Sequence, residues 1–263
     1  MCIEKSVGRG CINRIEDSRA VQSLLNMNGS RYGLAKPLAM DGKPGTKTYV
    51  AIEAFQRGVA GAAQPDGRVD PGGLTLGLLR QGIASDLTRE KLQGIMAGAS
   101  AERIELYYDG LKQALDGSSI STPLRLAHFL AQVGHESADL RYSKELASGE
   151  AYEGRKDLGN SQPGDGPRFK GRGLIQLTGR ANYDAYGKAR GEDFIAGNGP
   201  ERIAIEPFLA VDVAIWFWTR NRINRFADED DVRKVTKIIN GGYNGLEDRK
   251  RRLARAKWFL NLE

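Results

Sequence analysis

The segment FLAVDVAIWFWTRN, residues 208–221, constrains the fold of this chain more than any other feature. Drawn as a helix it is apolar on nearly every side, and such a helix is stable in water only where other elements surround it. It is too short to span a bilayer, which requires about 20 apolar residues. We therefore predict a central buried helix with other helices packed around it.

Two further segments after residue 87 carry apolar residues at helical spacing. These are SAERIELYYDGLKQALDG (residues 100–117) and PLRLAHFLAQVGHES (residues 123–137), the second beginning with a proline suited to a first turn. Residues 146–173 are rich in Gly, Pro, Asp and Asn and predict a long loop. Only GLIQLT, residues 173–178, alternates like a strand. The fold class predicted for this part is therefore mainly α, with one minor β element.

The N-terminal part predicts a separate small domain of three helices. Two similar phrases, MDGKPGTKTYVAIEAFQ (residues 40–56) and PDGRVDPGGLTLGLLRQ (residues 65–81), each pass from an Asp-Gly turn into a helical pattern. Before them, DSRAVQSLLN offers Asp17 or Ser18 as an N-cap. Phe55 and Leu78 are expected in the core. We predict one domain over residues 1–82, a linker over 83–86 and a larger domain over 87–263.

Composition limits the partners and the chemistry. Lys plus Arg is 39 and Asp plus Glu is 33, a net charge of +6 that favours an anionic partner. Basic residues concentrate in EDRKRRLARAKWF (residues 247–259), where a helix would keep Leu253, Ala256, Trp258 and Phe259 for packing. The two cysteines, Cys2 and Cys11, are too few for a disulfide framework and are expected to be reduced thiols. No metal site and no cofactor are predicted.

The pair Glu136 and Glu145 is the strongest chemical signal. Glu136 ends the helix of residues 123–136 at the edge of its apolar stripe, beside Phe129, and Glu145 follows in polar surroundings. Burial and the negative end of the helix dipole both raise the pKa of a carboxyl group, as a general acid at neutral pH requires. A protonated and an ionised carboxyl side by side are typical of glycoside hydrolysis. The alternative is that both are ordinary surface charges.

Neighbouring polar residues refine this hypothesis. On an extended GLIQLT, Gln176 and Thr178 would share one side and could position a water or a sugar amide. The glycines around Arg172 would let the backbone approach a ligand closely. His135 lies about half a turn from Glu136 and is interpreted as structural or solvent-facing, and His128 lacks a metal-ligand partner at a familiar spacing.

Four motifs, in order, resemble the family-19 glycoside hydrolases, the plant-chitinase-like group that includes bacteriophage lysozymes. They are AHFLAQVGHES, FKGRGLIQLTGRANY, AVDVAIWFWT and INGGYNG, and the resemblance runs from about Leu87 to the C-terminus. It implies a lysozyme-like α-helical fold and an inverting mechanism. It assigns Glu136 as the general acid and Glu145 as the base, with Glu150 and Glu153 as alternative bases.

The same resemblance assigns the remaining site residues. Thr178 would hold the attacking water, and Gln176 and Asn240 match substrate-contacting positions. Arg172 and Tyr183 are predicted to bind substrate beside them. The disulfides of the plant enzymes are absent here, as in a compact phage-type member.

Residues 1–82 resemble the three-helix peptidoglycan-binding module found on many cell-wall hydrolases. The residues predicted to serve this module are Asp41, Gly42, Thr48, Phe55 and Gln56. Such a module before a lysozyme-like domain resembles a modular phage endolysin, a monomeric lysozyme that cuts the β-1,4 bond between N-acetylmuramic acid and N-acetylglucosamine. The alternatives are a chitinase and a catalytically inactive wall-binding or nucleic-acid-binding protein.

The resemblance also implies where the protein acts and what it binds. The N-terminus lacks the apolar core of a signal peptide, so we expect the protein to stay in the host bacterial cytoplasm until a holin releases it. Peptidoglycan is the expected partner, and an anionic outer-membrane surface is a further candidate through the basic C-terminus. Nucleic acid is not expected, because no base-reading motif is evident.

Overall fold

The structure, a computed structural model, describes residues 2–262 and is mainly α-helical, as predicted. Two short strands, β1 (Val7–Gly8) and β2 (Arg68–Val69), pair in antiparallel fashion. The α-helices follow in chain order: α1 Ile15–Met27, α2 Gly29–Tyr32, α3 Thr46–Gly58, α4 Leu74–Arg80, α5 Arg89–Ile95, α6 Ala101–Leu115, α7 Pro123–Glu136, α8 Asp165–Arg168, α9 Arg180–Arg190, α10 Gly199–Ile205, α11 Pro207–Arg220, α12 Asn224–Asp228, α13 Val232–Asn240 and α14 Leu246–Phe259. Within residues 2–262, no helix is both long enough and apolar enough to cross a membrane.

The chain forms two compact units. One runs from the N-terminus through Glu105 and also takes in the segment from Arg251 onward, and the other is Leu106–Lys250. The predicted boundary at residues 83–86 therefore falls inside the first unit. There α1 packs against α5, the Lys91 ammonium donates to the carbonyls of Ala84 and Ser85, and the Arg255 Nε donates to the Gly94 carbonyl. A chain cut after residue 82 would leave α5 without α1.

The start of α1 differs from the prediction. The helix begins at Ile15, so Asp17 lies inside its first turn instead of capping it. The Asp17 carboxylate accepts hydrogen bonds from the backbone N–H groups of Glu4 and Lys5, both at 3.0 Å. An acidic side chain in the first turn also faces the positive end of the helix dipole. Asp17 therefore fastens the N-terminal segment to α1.

The first Asp-Gly turn is anchored by a buried glutamine of α1. The Gln22 Nε2 donates to the Asp41 carboxylate at 3.0 Å, and its Oε1 accepts from the Gly42 N–H at 2.9 Å. The same Nε2 lies 3.5 Å from the hydroxyl of buried Thr48 on α3. The Gln22 amide thus forms hydrogen bonds with the Asp41–Gly42 turn and also contacts the hydroxyl of Thr48 near the start of α3.

The second Asp-Gly turn repeats this arrangement one helix later. The Gln56 Nε2 donates to the Asp66 carboxylate at 2.7 Å and to the Thr75 hydroxyl at 3.1 Å, and its Oε1 accepts from the Gly67 N–H at 3.0 Å. The sequence repeat is therefore a structural repeat. Phe55 is fully buried beside it, whereas Leu78 is only half-buried and Leu76 and Leu79 supply the α4 core contacts in its place.

These contacts give the predicted module residues structural roles. Thr48, Phe55 and Gln56 are buried, Gly42 is buried with its N–H bound to Gln22, and Asp41 is exposed but holds the turn. Groups that are buried and fully used within the fold cannot meet a polymer outside it. The buried residues maintain the unit, and a wall-binding surface would consist of exposed residues.

In the second unit, α7 and α11 form as their sequences predict. The Thr122 hydroxyl accepts from the Arg125 N–H as the N-cap of α7, and Pro123 takes the first helical position. Most of the apolar residues of α11 are buried, including Trp218, which packs edge-on against Phe129 of α7 with ring centroids 5.6 Å apart. The central buried helix predicted for residues 208–221 is confirmed.

The predicted strand GLIQLT is a turn. Arg172 and Leu177 exchange both of their backbone hydrogen bonds, at 3.1 and 2.8 Å, and residues 173–176 form the loop between them. Gln176 takes a left-handed conformation, with φ of 58°. Six residues of alternating polarity fit a tight hairpin loop as well as a strand, so the pattern alone does not distinguish the two structures. The predicted long loop before it contains two 3₁₀ turns, Glu150–Tyr152 and Lys156–Leu158, and the single turn α8.

The basic C-terminal segment forms α14. Leu253, Ala256, Trp258 and Phe259 are buried, as the predicted packing face requires. Cys2 is buried and Cys11 half-buried, both as free thiols, which agrees with the prediction of reduced cysteines.

Candidate active site

Glu136 is the last residue of α7, and its carboxylate forms an ion pair with Arg249 of α14. The Arg249 side chain is 0% exposed and that of Glu136 is 18% exposed, so the arginine is fully buried and the carboxylate keeps limited access to solvent. The same guanidinium donates to the side-chain oxygen of Gln132 and to the Asn244 carbonyl, the latter at 3.3 Å. Because Gln132 lies one turn before Glu136, one face of α7 presents both groups to the arginine.

The polar network continues from α7 to α13. The Gln132 Nε2 lies 3.4 Å from the Thr236 hydroxyl, which itself donates to the Val232 carbonyl at 2.7 Å. The helix α13 ends at Asn240, where Gly241 supplies the left-handed cap with φ of 76°. Asn240 is exposed, which suits the substrate contact predicted for it.

Arg249 is the site residue that sequence reasoning missed. The sequence shows it only as one of the basic residues concentrated in residues 247–259. Its spacing carried a signal, because Arg249, Leu253 and Ala256 recur at the interval of one helical face, and the last two were expected to be buried. A cation on an apolar stripe requires a buried carboxylate partner.

His135 makes a second, parallel contact to the start of α14. Its Nδ1 lies 2.7 Å from the Asp248 carboxylate. Gly245 packs so closely on the imidazole that a Cβ there would lie 2.1 Å from a ring carbon. These two contacts give His135 a structural role, which is one of the two roles considered for it from the sequence. His128 likewise pairs with one aspartate, Asp230, at 2.8 Å.

The chain reverses sharply between the two carboxylates. Three consecutive residues, Ala138, Asp139 and Leu140, have φ values of 48°, 55° and 62°. Left-handed backbone costs roughly 1–2 kcal/mol per non-glycine residue. The buried Leu140 side chain and a 2.9 Å hydrogen bond from the Leu140 N–H to the Ser137 hydroxyl hold the turn in place. This left-handed turn reverses the chain between Glu136 and Glu145.

Glu145 is held from two directions. The Tyr152 hydroxyl donates to its Oε1 and the Gly171 N–H donates to its Oε2, both at 3.0 Å. Burial, and after it the hydrogen bond to Glu145, raises the pKa of Tyr152 above its ordinary value, so the phenol remains a neutral donor near pH 7. A β-bridge between Lys144 and Arg172 fixes the backbone beside it. Two hydrogen bonds to separate oxygens define the orientation of this carboxylate.

The alternative bases have different surroundings. The Glu153 carboxylate accepts from the N–H groups of Gly164 and Gly166, each at 2.7 Å, so it closes the loop that precedes α8. Glu150 is exposed at the start of a 3₁₀ turn. Glu145, in contrast to both of them, is oriented by a hydrogen bond from Gly171, the residue just before the Arg172–Leu177 turn.

The Arg172–Leu177 turn brings Gln176 beside Glu145. Both side chains converge on Gly171, where a Cβ would lie 2.8 Å from the Gln176 Oε1 and 3.2 Å from the Glu145 Oε2. The Gln176 Nε2 is anchored to the Gly173 carbonyl at 2.9 Å. The Thr178 hydroxyl donates to the Gln176 carbonyl at 2.9 Å, which leaves its oxygen lone pairs as acceptors for a water hydrogen.

Arg172 and Tyr183 are both buried. Tyr183 is fully buried, and its hydroxyl donates to the Lys170 carbonyl at 2.7 Å. Arg172 is 5% exposed, and its guanidinium binds Glu201, two backbone carbonyls and the Tyr183 oxygen. The polar atoms of both residues are bound inside the protein, and direct substrate contact stays a prediction for them. They support the Arg172–Leu177 turn from behind.

Comparison with known proteins places this site in a family. The family model for class I chitinases matches residues 117–233, the range that contains Glu136, Glu145 and Thr178. A Haemophilus influenzae protein named as containing a glycosyl hydrolase family 19 domain is 32% identical in an alignment 173 residues long, which covers 54% of this chain and 83% of that protein. The chain belongs to glycoside hydrolase family 19.

Proteins named as chitinases are similar to the chain in sequence or in fold. An endochitinase of Arabidopsis thaliana is 36% identical over 117 residues, covering 44% of this chain and 39% of the plant protein. Chitinase C from Streptomyces griseus superposes with a TM-score of 0.55 at 24% identity, covering 76% of this chain and 83% of that chain. The second likeness concerns the fold, which is that of a family-19 hydrolase. The chain is therefore a glycosidase of this family, and its substrate is a separate question.

Proposed function

We propose that this family-19 hydrolase is a modular endolysin that cuts the β-1,4 bond between N-acetylmuramic acid and N-acetylglucosamine in bacterial peptidoglycan. The observation that carries the proposal is the presence, in one chain, of a family-19 site and an N-terminal unit with two glutamine-anchored Asp-Gly turns. That unit resembles wall-binding modules, and a net charge of +6 suits a polymer that bears carboxylates.

The reaction needs one proton donor and one proton acceptor. In the proposed mechanism, Glu136 donates its proton to the glycosidic oxygen as the bond from that oxygen to the anomeric carbon breaks. A water attacks the anomeric carbon from the opposite face and forms the new carbon–oxygen bond. Glu145 takes the proton that this water releases, and the configuration at the anomeric carbon is inverted.

Each supporting group has a defined task in this scheme. Tyr152 and the Gly171 N–H orient the base, so that its lone pair does not have to be positioned during the reaction. The Thr178 oxygen accepts a hydrogen from the attacking water, and Gln176 lies beside it. Arg249 holds the Glu136 side chain at the end of α7.

The N-terminal unit would raise the enzyme concentration at the wall. Its exposed candidate surface is a groove of about 520 Å³ lined by residues 32–38 and by the exposed face of α3. Val50 supplies apolar surface in this groove, and Lys36 and Lys47 lie in its wall. We propose that peptidoglycan stem peptides, which combine methyl groups with carboxylates, occupy it.

The setting follows from the proposed lytic role. A monomer made in the host cytoplasm would reach the wall after a holin opens the inner membrane, and the basic face of α14 would favour the anionic outer-membrane surface once the enzyme is in the periplasm. Zymography and turbidity assays with permeabilised cells measure wall cleavage alone. The same turbidity assay with intact cells also depends on the interaction with the outer membrane, so the two results separate these steps.

Chitin hydrolysis is the second candidate function, because relatives of this chain are named endochitinases. A catalytically inactive wall-binding protein is a third. Purified peptidoglycan and chitin oligosaccharides, assayed side by side, discriminate among the three. The endolysin proposal expects turnover of peptidoglycan with new reducing ends at N-acetylmuramic acid. Turnover of chitin alone, or of neither polymer, would contradict it.

A further inference from the structure

One face of α13 carries two cations in line with Asn240. Arg233, Lys237 and Asn240 lie at i, i+4 and i+7, so they share one side of the helix, and all three are exposed. The buried residues Val235 and Thr236 lie on the side that faces the protein. The cations therefore extend from the predicted substrate contact along the open side of the helix.

These two cations have no carboxylate partner among residues 2–262, in contrast to their neighbour Lys234. The Lys234 ammonium lies 3.3 Å from the Glu229 carboxylate and 3.1 Å from that of Asp231. No ion pair of Arg233 or Lys237 occurs in this described part of the chain. Their charges are thus available to a ligand, and that of Lys234 is largely neutralised.

The face is tied to the catalytic residues by contacts within the same unit. The Arg233 guanidinium lies over the ring of Tyr243, 4.7 Å from its centroid, and this ring is 46% exposed just after the Asn240 turn. Thr236, one position before Lys237, joins the network that runs through Gln132 and Arg249 to Glu136. A polymer bound at Asn240 would therefore pass the two cations while it is held for cleavage.

We propose that Arg233 and Lys237 form a carboxylate-binding face that selects peptidoglycan over uncharged chitin. The inference deepens the proposed function and rests on it. The carboxylates come from the stem peptides or, in peptide-free strands, from the lactyl groups of N-acetylmuramic acid. Chitin has neither, so the face would contribute nothing to its binding. Exposed charges act chiefly on recognition and association, and they are screened by salt.

The test uses the full-length chain with Arg233→Gln/Lys237→Gln and, as a matched control on the same helix, Lys234→Gln. Both are assayed on intact peptidoglycan, on amidase-treated glycan strands and on a chitin hexasaccharide. At about 0.01 M salt, where the screening length is about 30 Å, we expect the double variant to lose about tenfold in kcat/KM on peptidoglycan. The loss should vanish near 1 M salt, where the screening length is about 3 Å. Turnover of chitin, and every activity of the control, should stay at the wild-type value.

The outcomes separate this inference from the proposed function. Wild-type cleavage of peptidoglycan with no loss in the double variant would overturn the inference and leave the endolysin proposal standing. Equal losses on peptidoglycan and chitin would also overturn it, because a charge effect must spare the neutral polymer. A wild-type enzyme that cuts chitin but not peptidoglycan would overturn both. A loss on intact peptidoglycan alone identifies the stem carboxylates, and a loss on both intact peptidoglycan and stripped strands shows that the lactyl carboxylates are recognised as well.

Discussion

Gly171→Ala should impair catalysis while leaving the fold intact. The new Cβ would lie 2.8 Å from the Gln176 Oε1 and 3.2 Å from the Glu145 Oε2, where ordinary contact begins at 3.4 Å. The glutamine oxygen would therefore have to retreat by about 0.6 Å and the carboxylate oxygen by about 0.2 Å. Both are the far ends of flexible side chains, which can move without disturbing the core.

The expected effect on stability is small. Gly171 is not among the glycines with positive φ, so alanine can adopt its backbone conformation. Replacing glycine by alanine at such a position stabilises a protein by about 0.4–1 kcal/mol through the unfolded state. That gain would offset the displacement of Gln176, so the melting temperature should change by no more than a few degrees, roughly.

The effect on turnover should be much larger. A shift of 1 Å in a reacting group can cost about 10²-fold, so displacement of Glu145 and Gln176 by a few tenths of an ångström should lower kcat by about tenfold. The assay is turnover of peptidoglycan, or of a chitin hexasaccharide, beside thermal melting. Gly77→Ala is the control, because a Cβ there meets nothing within 4 Å. If Gly171→Ala keeps wild-type turnover, the base is not at Glu145 or its orientation is unimportant, and if it unfolds, the assumption of movable side chains is wrong.

Three further predictions concern the carboxylates. Glu136→Gln should lower turnover by about 10²–10⁴-fold with the fold retained, because an amide cannot donate the proton; a variant with more than half of wild-type activity would refute this. Glu145→Ala should lose a similar factor, recover partly with azide and give product of inverted anomeric configuration by NMR; near-normal activity, with Glu150→Ala inactive, would reassign the base. Hydrogen bonds from Arg180 hold the pKa of Asp165 below its usual range, so this pair should stabilise the fold above about pH 4 and lose its effect as pH falls further. Asp165→Asn should therefore melt below wild type by several degrees, roughly, at pH 7, with the gap narrowing as the pH falls below about 4; a gap that is independent of pH would contradict this.

Local patterns predicted the helices that build the site. The periodicity of residues 123–136, with Thr122 and Pro123 before it, defines a helix from its own residues, and Glu136 at its end needed no tertiary information. The apolar segment of residues 208–221 could only be buried. Such features are predictable because their cause lies within one turn or one segment of the chain.

Contacts between distant segments were not predictable in the same way. The ion pair between Glu136 and Arg249 depends on where α14 meets α7. The burial of Arg172 and Tyr183 depends on Glu201 and on the packing behind the turn. A polar residue in a motif gives no indication of whether it faces a substrate or supports the residue that does.

The pair between Glu136 and Arg249 also sets an order of events in the life of the chain. The two residues are separated by 113 positions, so a nascent chain that already contains Glu136 does not yet contain the arginine that holds it. The site is completed only when the start of α14 has been synthesised and has docked on the end of α7. A ribosome-bound fragment, or a product truncated before Arg249, would carry every motif of the catalytic loops without an assembled acid. Catalytic activity thus becomes available only after translation has passed Arg249 and α14 has formed.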